Sequence, residues 1–320
     1  MNWRIKIGCI AVLFFACNGE EKKWGEDTPF VSEATKAYYS TEHLIEVEEL
    51  KNFSTSIDHK IIDLRKPDDF NSGHIPNAIN IWRTDIENND YPYQGIMATK
   101  AQIELLFSKL GIENKDHLII YDNNGACDAS RLWWILKNYG FENVKLLNGG
   151  LDHWIEMKGK LSKETQVYQP SHFTLPDELN IKLYIGLNEL KSVVTNNSSV
   201  VLDTRATDEF TGLRQKSGAS RAGHIPKSIM VDWANTIDYH GSKKFKSFQE
   251  LYDLYARHQI TQDKDIIVYC HSGVRSSHTT FVLTELLGFK RVKNYDGSWV
   301  EWSYHKELPI ESDTITKEYK

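Results

Sequence analysis

Asp265-Ile266-Ile267-Val268-Tyr269-Cys270-His271-Ser272-Gly273-Val274-Arg275-Ser276 reads as a strand running into a turn, with a single cysteine where the strand ends. The run Asp265 to Tyr269 is short, apolar and β-branched, the pattern of a buried strand. A helix is expected from Ser276 through Leu287, stopping at Gly288. Cys270 then sits at the carboxyl edge of a parallel strand and faces a helix N-terminus, whose unpaired N–H groups and dipole favour a thiolate. A lone cysteine is more often a small buried core residue. Gly273, the hydroxyls of Ser272 and Ser276, and the basic residues His271 and Arg275 favour the reactive reading here.

Working outward, the 320 residues fit two domains, at about 100 to 200 residues each. Either half can bury a core of its own. With 44 acidic against 38 basic side chains, a formal charge of −6 and no long basic run, nucleic acid is excluded as the expected partner. Nine Trp and fifteen Tyr mark an ordered chain, since disordered segments are poor in aromatics. The cysteines lie at 9, 17, 127 and 270, with no CxxC and no Cys/His pair at zinc-finger spacing. Neither a metal site nor a disulfide framework is expected, and no cofactor is implied.

The first residues form a separate unit, with Arg4 and Lys6 ahead of an apolar run from Ile7 to Ala16. That run is too short to span a bilayer and suits a secretory signal over residues 1–17. Its ending, Leu13-Phe14-Phe15-Ala16-Cys17, resembles a bacterial lipobox, which implies lipidation at Cys17; an ordinary signal peptide cut nearby is the alternative. The polar residues 18–39 fit a solvated tether. An exported location follows from either reading, as a membrane-anchored lipoprotein or a periplasmic protein, with membrane contact only through the lipid.

Comparing the chain with itself reveals a duplication. The first half carries Ile61-Ile62-Asp63-Leu64-Arg65, Gly73-His74-Ile75-Pro76, Ile119-Ile120-Tyr121-Asp122, Gly149-Gly150 and Trp154. The second answers with Val201-Leu202-Asp203-Thr204-Arg205, Gly223-His224-Ile225-Pro226, Val268-Tyr269-Cys270, Asp296-Gly297 and Trp302. Offsets are 140 at the Asp-x-Arg, 150 at the Gly-His-Ile-Pro, and 148 from Asp122/Cys270 onward, so ten residues are inserted between Arg205 and Gly223. Each copy alternates short strands with helical stretches, the signature of βα units on a parallel sheet. Thr99 to Gln102 and Ser247 to Glu250 read as capping boxes. The expected organisation is an α/β domain over 40–165, a linker over 166–178 with Pro170 and Pro176, and a second α/β domain over 179–320.

Features shared by both copies point to the scaffold, and features in one copy point to the chemistry. His74 and His224 recur, which favours structural loop histidines over a general base. Asp63, Arg65, Asp203 and Arg205 also recur, as local ion pairs or supports. The contrast falls at the loop, where Cys270 has Asp122 as its counterpart. A carboxylate cannot carry sulfur through a covalent cycle, so the first copy is expected to be inert. Cys127 aligns with Arg275 and not with Cys270, which leaves it as an early-helix packing residue or, alternatively, a resolving thiol.

These paired motifs, together with Cys270-His271-Ser272-Gly273-Val274 and Tyr295-Asp296-Gly297-Ser298-Trp299-Val300-Glu301-Trp302, closely resemble the tandem-domain rhodanese family of sulfurtransferases over about residues 40 to 310. The resemblance implies two rhodanese-like domains, each a doubly wound parallel sheet flanked by helices, with the persulfide cysteine in the second. It implies that Cys270 takes the outer sulfur of a small anionic donor and passes it to a thiophilic acceptor such as cyanide or a thiol. Backbone N–H groups from His271 to Ser276 would form an anion nest, with Ser272 adding a hydroxyl bond and Arg275 adding charge or pointing to solvent. The thiosulfate branch typically has lysine at the position of Ser272, and the 3-mercaptopyruvate branch has serine. Mercaptopyruvate enzymes, however, carry arginine where this chain has Glu209, and a carboxylate facing the pocket would repel an anionic donor. Arg205, and Arg214, Lys216 and Arg221 of the inserted loop, are the candidate compensating cations, the alternative for the loop residues being solvated surface. Thiosulfate with cyanide is the activity to assay.

Two rivals remain. Cysteine phosphatases on this scaffold resemble Cys-x5-Arg, whereas only four residues separate Cys270 from Arg275. A non-catalytic module whose Cys270 senses oxidants or accepts sulfur from a partner is the other.

Overall fold

The apolar runs form the centres of two five-stranded sheets in the computed structural model, which describes residues 37–53, 59–176 and 181–312. In the first half the strands are β1 (Leu44–Ile45), β2 (His59–Asp63), β3 (Ile79–Asn80), β4 (His117–Tyr121) and β5 (Val144–Leu147), in the spatial order β1-β5-β4-β2-β3. The second half repeats this with β6 (Tyr184–Ile185), β7 (Val200–Asp203), β8 (Ile229–Met230), β9 (Ile266–Tyr269) and β10 (Val292–Tyr295), ordered β6-β10-β9-β7-β8. Every strand pair is parallel, and the registers correspond: Asp63 lies opposite Tyr121, and Asp203 opposite Tyr269. Between the strands run α1 (Val47–Phe53), α2 (Pro67–Ser72), α3 (Lys100–Lys109), α4 (Cys127–Asn138) and α5 (Gly150–Glu156), then α6 (Leu187–Asn196), α7 (Thr207–Phe210), α8 (Phe248–Arg257), α9 (Val274–Phe281) and α10 (Ser298–Tyr304). Both halves are thus doubly wound α/β sheets, as the spacing of strands and helices predicts.

Alternation along the central strands divides the packing. Ile61, Ile119 and Leu147 face Leu50, Phe70 and Trp154 from α1, α2 and α5, while Ile62, Ile120 and Leu146 face Ile103 and Phe107 of α3 and the buried side of α4. The second sheet repeats the arrangement, with Ile267, Tyr269 and Tyr295 on Leu190, Trp299 and Trp302. The larger cluster does not stop at the end of either half. It runs from α4 into α9, where Trp133 meets Phe281 edge-on at 4.9 Å, so the halves share one continuous core.

The Thr99 and Ser247 capping boxes form as expected. Two segments differ from the sequence reading. The helix after Cys270 begins at Val274, two residues early, and gives way after Phe281 to a single π-helical turn over Val282–Leu286. Within the expected linker, Phe173 and Leu175 are buried, and Phe173 packs on Phe107 and Phe141. Apolar side chains there make the segment part of the first half's wall.

Candidate active site

Both halves place the loop of interest at the carboxyl end of a central strand. In the first half the Asp122 side chain shows what this turn encloses. Its Oδ1 accepts the N–H groups of Asn124 and Ala126 at 2.8 and 2.9 Å, and its Oδ2 those of Asp128 and Ala129 at 2.7 and 2.9 Å. Four backbone donors therefore converge on one carboxylate, a filled anion nest at the start of α4.

In the second half the 148-residue offset maps those donors onto Ser272, Val274, Ser276 and Ser277, around Cys270. The Cys270 side chain is 1% exposed, and the Ser276 hydroxyl donates to its Sγ at 3.5 Å. Burial pushes the thiol pKa up, but the Arg275 guanidinium, the Ser276 hydroxyl and the backbone N–H groups of Ser276 and Ser272 outweigh it and bring the thiol below its ordinary value. Cys127 is the opposite case. It is buried at the start of α4, and burial followed by the Asp128 and Asp122 carboxylates pushes it well up.

The loop is pinned from behind. Ser298 Oγ accepts the N–H groups of Cys270 and Gly273 at 3.1 and 3.0 Å while donating to the Tyr295 carbonyl at 2.9 Å. Ser298 takes a φ of +51° to do so, an uncommon conformation for a residue with a Cβ. Gly273 has φ +78°, and a Cβ there would come within 2.7 Å of Arg131 Nη1 and 2.8 Å of the Asp296 carbonyl.

Arg275 points inward, 15% exposed, and makes a two-pronged ion pair with Glu209 at 2.6 and 2.9 Å. Glu209 is itself 2% exposed. Burial raises the Glu209 pKa, but the Arg275 bond and charge prevail and hold it at about 2. The carboxylate is therefore matched by a guanidinium, with Arg214 Nη2 adding a contact at 3.3 Å.

Other expectations change in the same light. Arg205 is buried, bonded to Asp203 at 2.6 Å and to the Gly223 carbonyl at 2.8 Å; Arg65 repeats this pattern with Asp63 and Gly73. It buttresses the loop from below and is not a donor-binding cation. Arg221 is committed to the carbonyls of Trp302, Ser303, His305 and Leu308 at the end of α10. Arg214 lies outside, paired with Asp208. His271 carries no charge at neutral pH, because burial and then Lys216 lower its pKa to about 4; its Nε2 donates to the Ser217 carbonyl at 2.9 Å and holds the inserted loop in place. The hydroxyl on sulfur comes from Ser276, while Ser272 packs against Gly95. Val274 joins the core. His74 and His224 stack on Phe70 and Phe210 and donate to their carbonyls, as structural residues. Lys216 lies exposed on the inserted loop, the solvated-surface alternative; its ammonium has no ion-pair partner within 4 Å among the described residues, and partial desolvation and then Arg275 lower its pKa. Ser298 and Arg131, which sequence reading did not single out, complete the loop's supports. Only the family-like Gly297-Ser298-Trp299 run signals the first, and nothing local signals the second.

Residues 46–157 and 187–305 each match the rhodanese-like domain model. The chain is 36% identical over 252 residues to the sulfur carrier protein TtuD of Thermus thermophilus, covering 75% of this chain and 86% of that one. It is 33% identical over 256 residues to a thiosulfate sulfurtransferase of Corynebacterium glutamicum, covering 78% and 83%. The crystal structure of SseA from Escherichia coli, a 3-mercaptopyruvate enzyme with the rhodanese fold, matches with a TM-score of 0.72 at 25% identity over 80% of this chain and 98% of that one. The chain belongs to the rhodanese-like family, as a sulfurtransferase built from two copies of the domain.

Proposed function

We propose that this sulfurtransferase uses Cys270 to move sulfane sulfur from thiosulfate to a thiophilic acceptor, cyanide or a thiol. The Cys270 thiolate attacks the outer sulfur of thiosulfate. A new S–S bond forms, the donor's S–S bond breaks, and sulfite leaves with the electron pair. The acceptor's lone pair then attacks the outer sulfur of the persulfide, and the Cys270 thiolate departs. The observation that carries this reading is the shared loop geometry. The turn that wraps the Asp122 carboxylate in four N–H groups recurs around Cys270, where the N–H groups of Ser272 and Ser276 bond the sulfur, with the Arg275 guanidinium and the Ser276 hydroxyl beside it. Such a nest favours the thiolate and the persulfide anion over their neutral forms. Lys216 of the inserted loop, which lies within electrostatic reach of Cys270 and Glu209, adds a positive charge on the approach of an anionic donor.

Ser272 favours a second reading, 3-mercaptopyruvate as the donor, on the resemblance noted at that position. The likeness to a protein named as a sulfur carrier supports a third, in which Cys270 holds sulfur for a partner without turning over a small donor. Incubation with thiosulfate or with 3-mercaptopyruvate, followed by mass spectrometry, separates them. We expect one added sulfur on Cys270, loss of turnover in Cys270→Ser and retained turnover in Cys127→Ser. Failure of both donors to load the cysteine would sink the enzyme reading. We further propose, on the lipobox-like ending, that the protein is exported and anchored through a lipid on Cys17, which lies outside the described residues.

A further inference from the structure

The two halves grip each other through matched contacts. Met97 of the first half donates its N–H to Asp296 Oδ2 at 3.1 Å, and Phe245 of the second donates its N–H to Asn148 Oδ1 at 3.0 Å; both pairs are related by the offset of 148. Each half thus lays a segment over the turn that follows the other's last strand. In one respect the grips differ. On the side of the cysteine loop, Arg131 of α4 reaches across, 2% exposed, and donates to Asp296 Oδ1 at 2.5 Å, to the Gly95 carbonyl at 2.7 Å and to the Gly273 carbonyl at 3.4 Å. On the other side the corresponding residues are the uncharged Thr279 and Asn148; there His278 Nε2 donates to the carbonyl of Gly125, the counterpart of Gly273, at 3.0 Å, and Asn148 bonds Glu46, which pairs with Lys244 across the halves at 2.8 Å.

A buried ion pair rarely improves on well-packed apolar residues, because desolvation offsets the Coulomb attraction. The other side closes the same grip with an uncharged imidazole and a partly exposed ion pair, so closing the grip does not by itself call for a buried guanidinium. What that side has, and the other lacks, is Cys270. Arg131 touches the loop at both of its borders. It holds the carbonyl of Gly273, the residue that turns the chain into α9. Through the Gly95 carbonyl it also fixes a segment in which a Cβ on Gly95 would lie 2.6 Å from Ser272 Cβ.

We propose that Arg131, contributed by the half without the reactive cysteine, is a positioning residue for the sulfur loop, clamping Gly273 and Asp296 so that the backbone donors stay aimed at Cys270 Sγ. The proposal rests on Cys270 as the sulfur carrier. The full-length protein tests it through Arg131→Gln and Arg131→Lys, with Asn148→Ala as the matched change on the other side. Three quantities are read: melting temperature, the pH midpoint of Cys270 alkylation by iodoacetamide, and thiosulfate:cyanide kinetics. Arg131→Gln is expected to raise the alkylation midpoint by about one pH unit and to lower kcat about 100-fold, with KM for thiosulfate within about threefold. Arg131→Lys keeps a charge for Asp296 but lacks the planar fork for the two carbonyls, so it should fold normally and recover only part of kcat. Asn148→Ala should lower the melting temperature and leave the midpoint in place. If both Arg131 variants keep the wild-type midpoint and kcat, whatever their melting temperature, the residue is structural and the proposal is overturned. Should Arg131→Gln fail to fold, Arg131→Lys and Asp296→Asn carry the same comparison. A wild-type protein that takes sulfur from no donor would refute the sulfurtransferase reading, while the alkylation midpoints would still decide whether the clamp acts on the loop.

Discussion

Glu209 shows how far a single residue's meaning depends on what it faces. As a carboxylate four positions beyond Arg205 it predicts repulsion of an anionic donor, yet in the fold it is closed off by Arg275 on two prongs. Its effect is to fix the guanidinium that sits beside Cys270. Removing it leaves Arg275 buried and unpaired, which costs about 3 kcal/mol. The pH dependence has a definite sign. The folded pKa of about 2 lies below an unfolded value of about 4.3, so the stabilisation is fully present above the unfolded value and is lost as pH falls through the folded one. Thermal unfolding of Glu209→Gln against wild type is expected to show a large gap at neutral pH that narrows as the buffer approaches pH about 2. A gap that does not depend on pH would mean that the ion pair is not its cause.

At the scale of the element, the strand–loop–helix unit is one device with two contents. Four N–H groups converge in the first half on Asp122. Replacing that carboxylate by alanine leaves buried donors without an acceptor, at a cost of about 3 kcal/mol. Asp122→Ala should lower the urea midpoint while leaving the alkylation of Cys270 unchanged wherever Arg131 keeps its contacts, since the Asp122 carboxylate bonds only N–H groups of its own half. Altered Cys270 reactivity in that variant would count against the separation of roles. Strand and loop were both legible in the sequence because they depend on local pattern: a β-branched run, a glycine, then hydroxyls. The start of α9 was misjudged by two residues because Gly273 turns the chain at once, and no propensity marks the π turn that follows. The local ion pair of Arg205 with Asp203 follows from their spacing, but the sequence does not separate Arg205 and Arg221 from ligand-binding cations, because a buried arginine and a ligand-binding arginine look alike until their carbonyl and carboxylate partners are seen.

For the molecule as a whole, duplication was the most legible feature, and it brought the topology of both sheets with it. The shared core was not legible, because the pairing of α4 with α9 joins residues about 150 positions apart and leaves no local periodicity of its own. Where the protein resides is decided by neither sheet. If Cys17 carries a lipid, Cys17→Ala should move the protein from the membrane fraction to the soluble exported fraction with its thiosulfate:cyanide turnover unchanged; persistence in the membrane fraction would refute the anchor. The reciprocal pairs Met97/Asp296 and Phe245/Asn148 have a consequence in the language of symmetry. A contact in which one residue meets a second while the second's equivalent meets the first's is isologous, the kind that relates subunits about a two-fold axis. The chain therefore has the architecture of a homodimer whose protomers lie in one polypeptide, with the copy that carries Asp122 in the place of a sister subunit to the copy that carries Cys270.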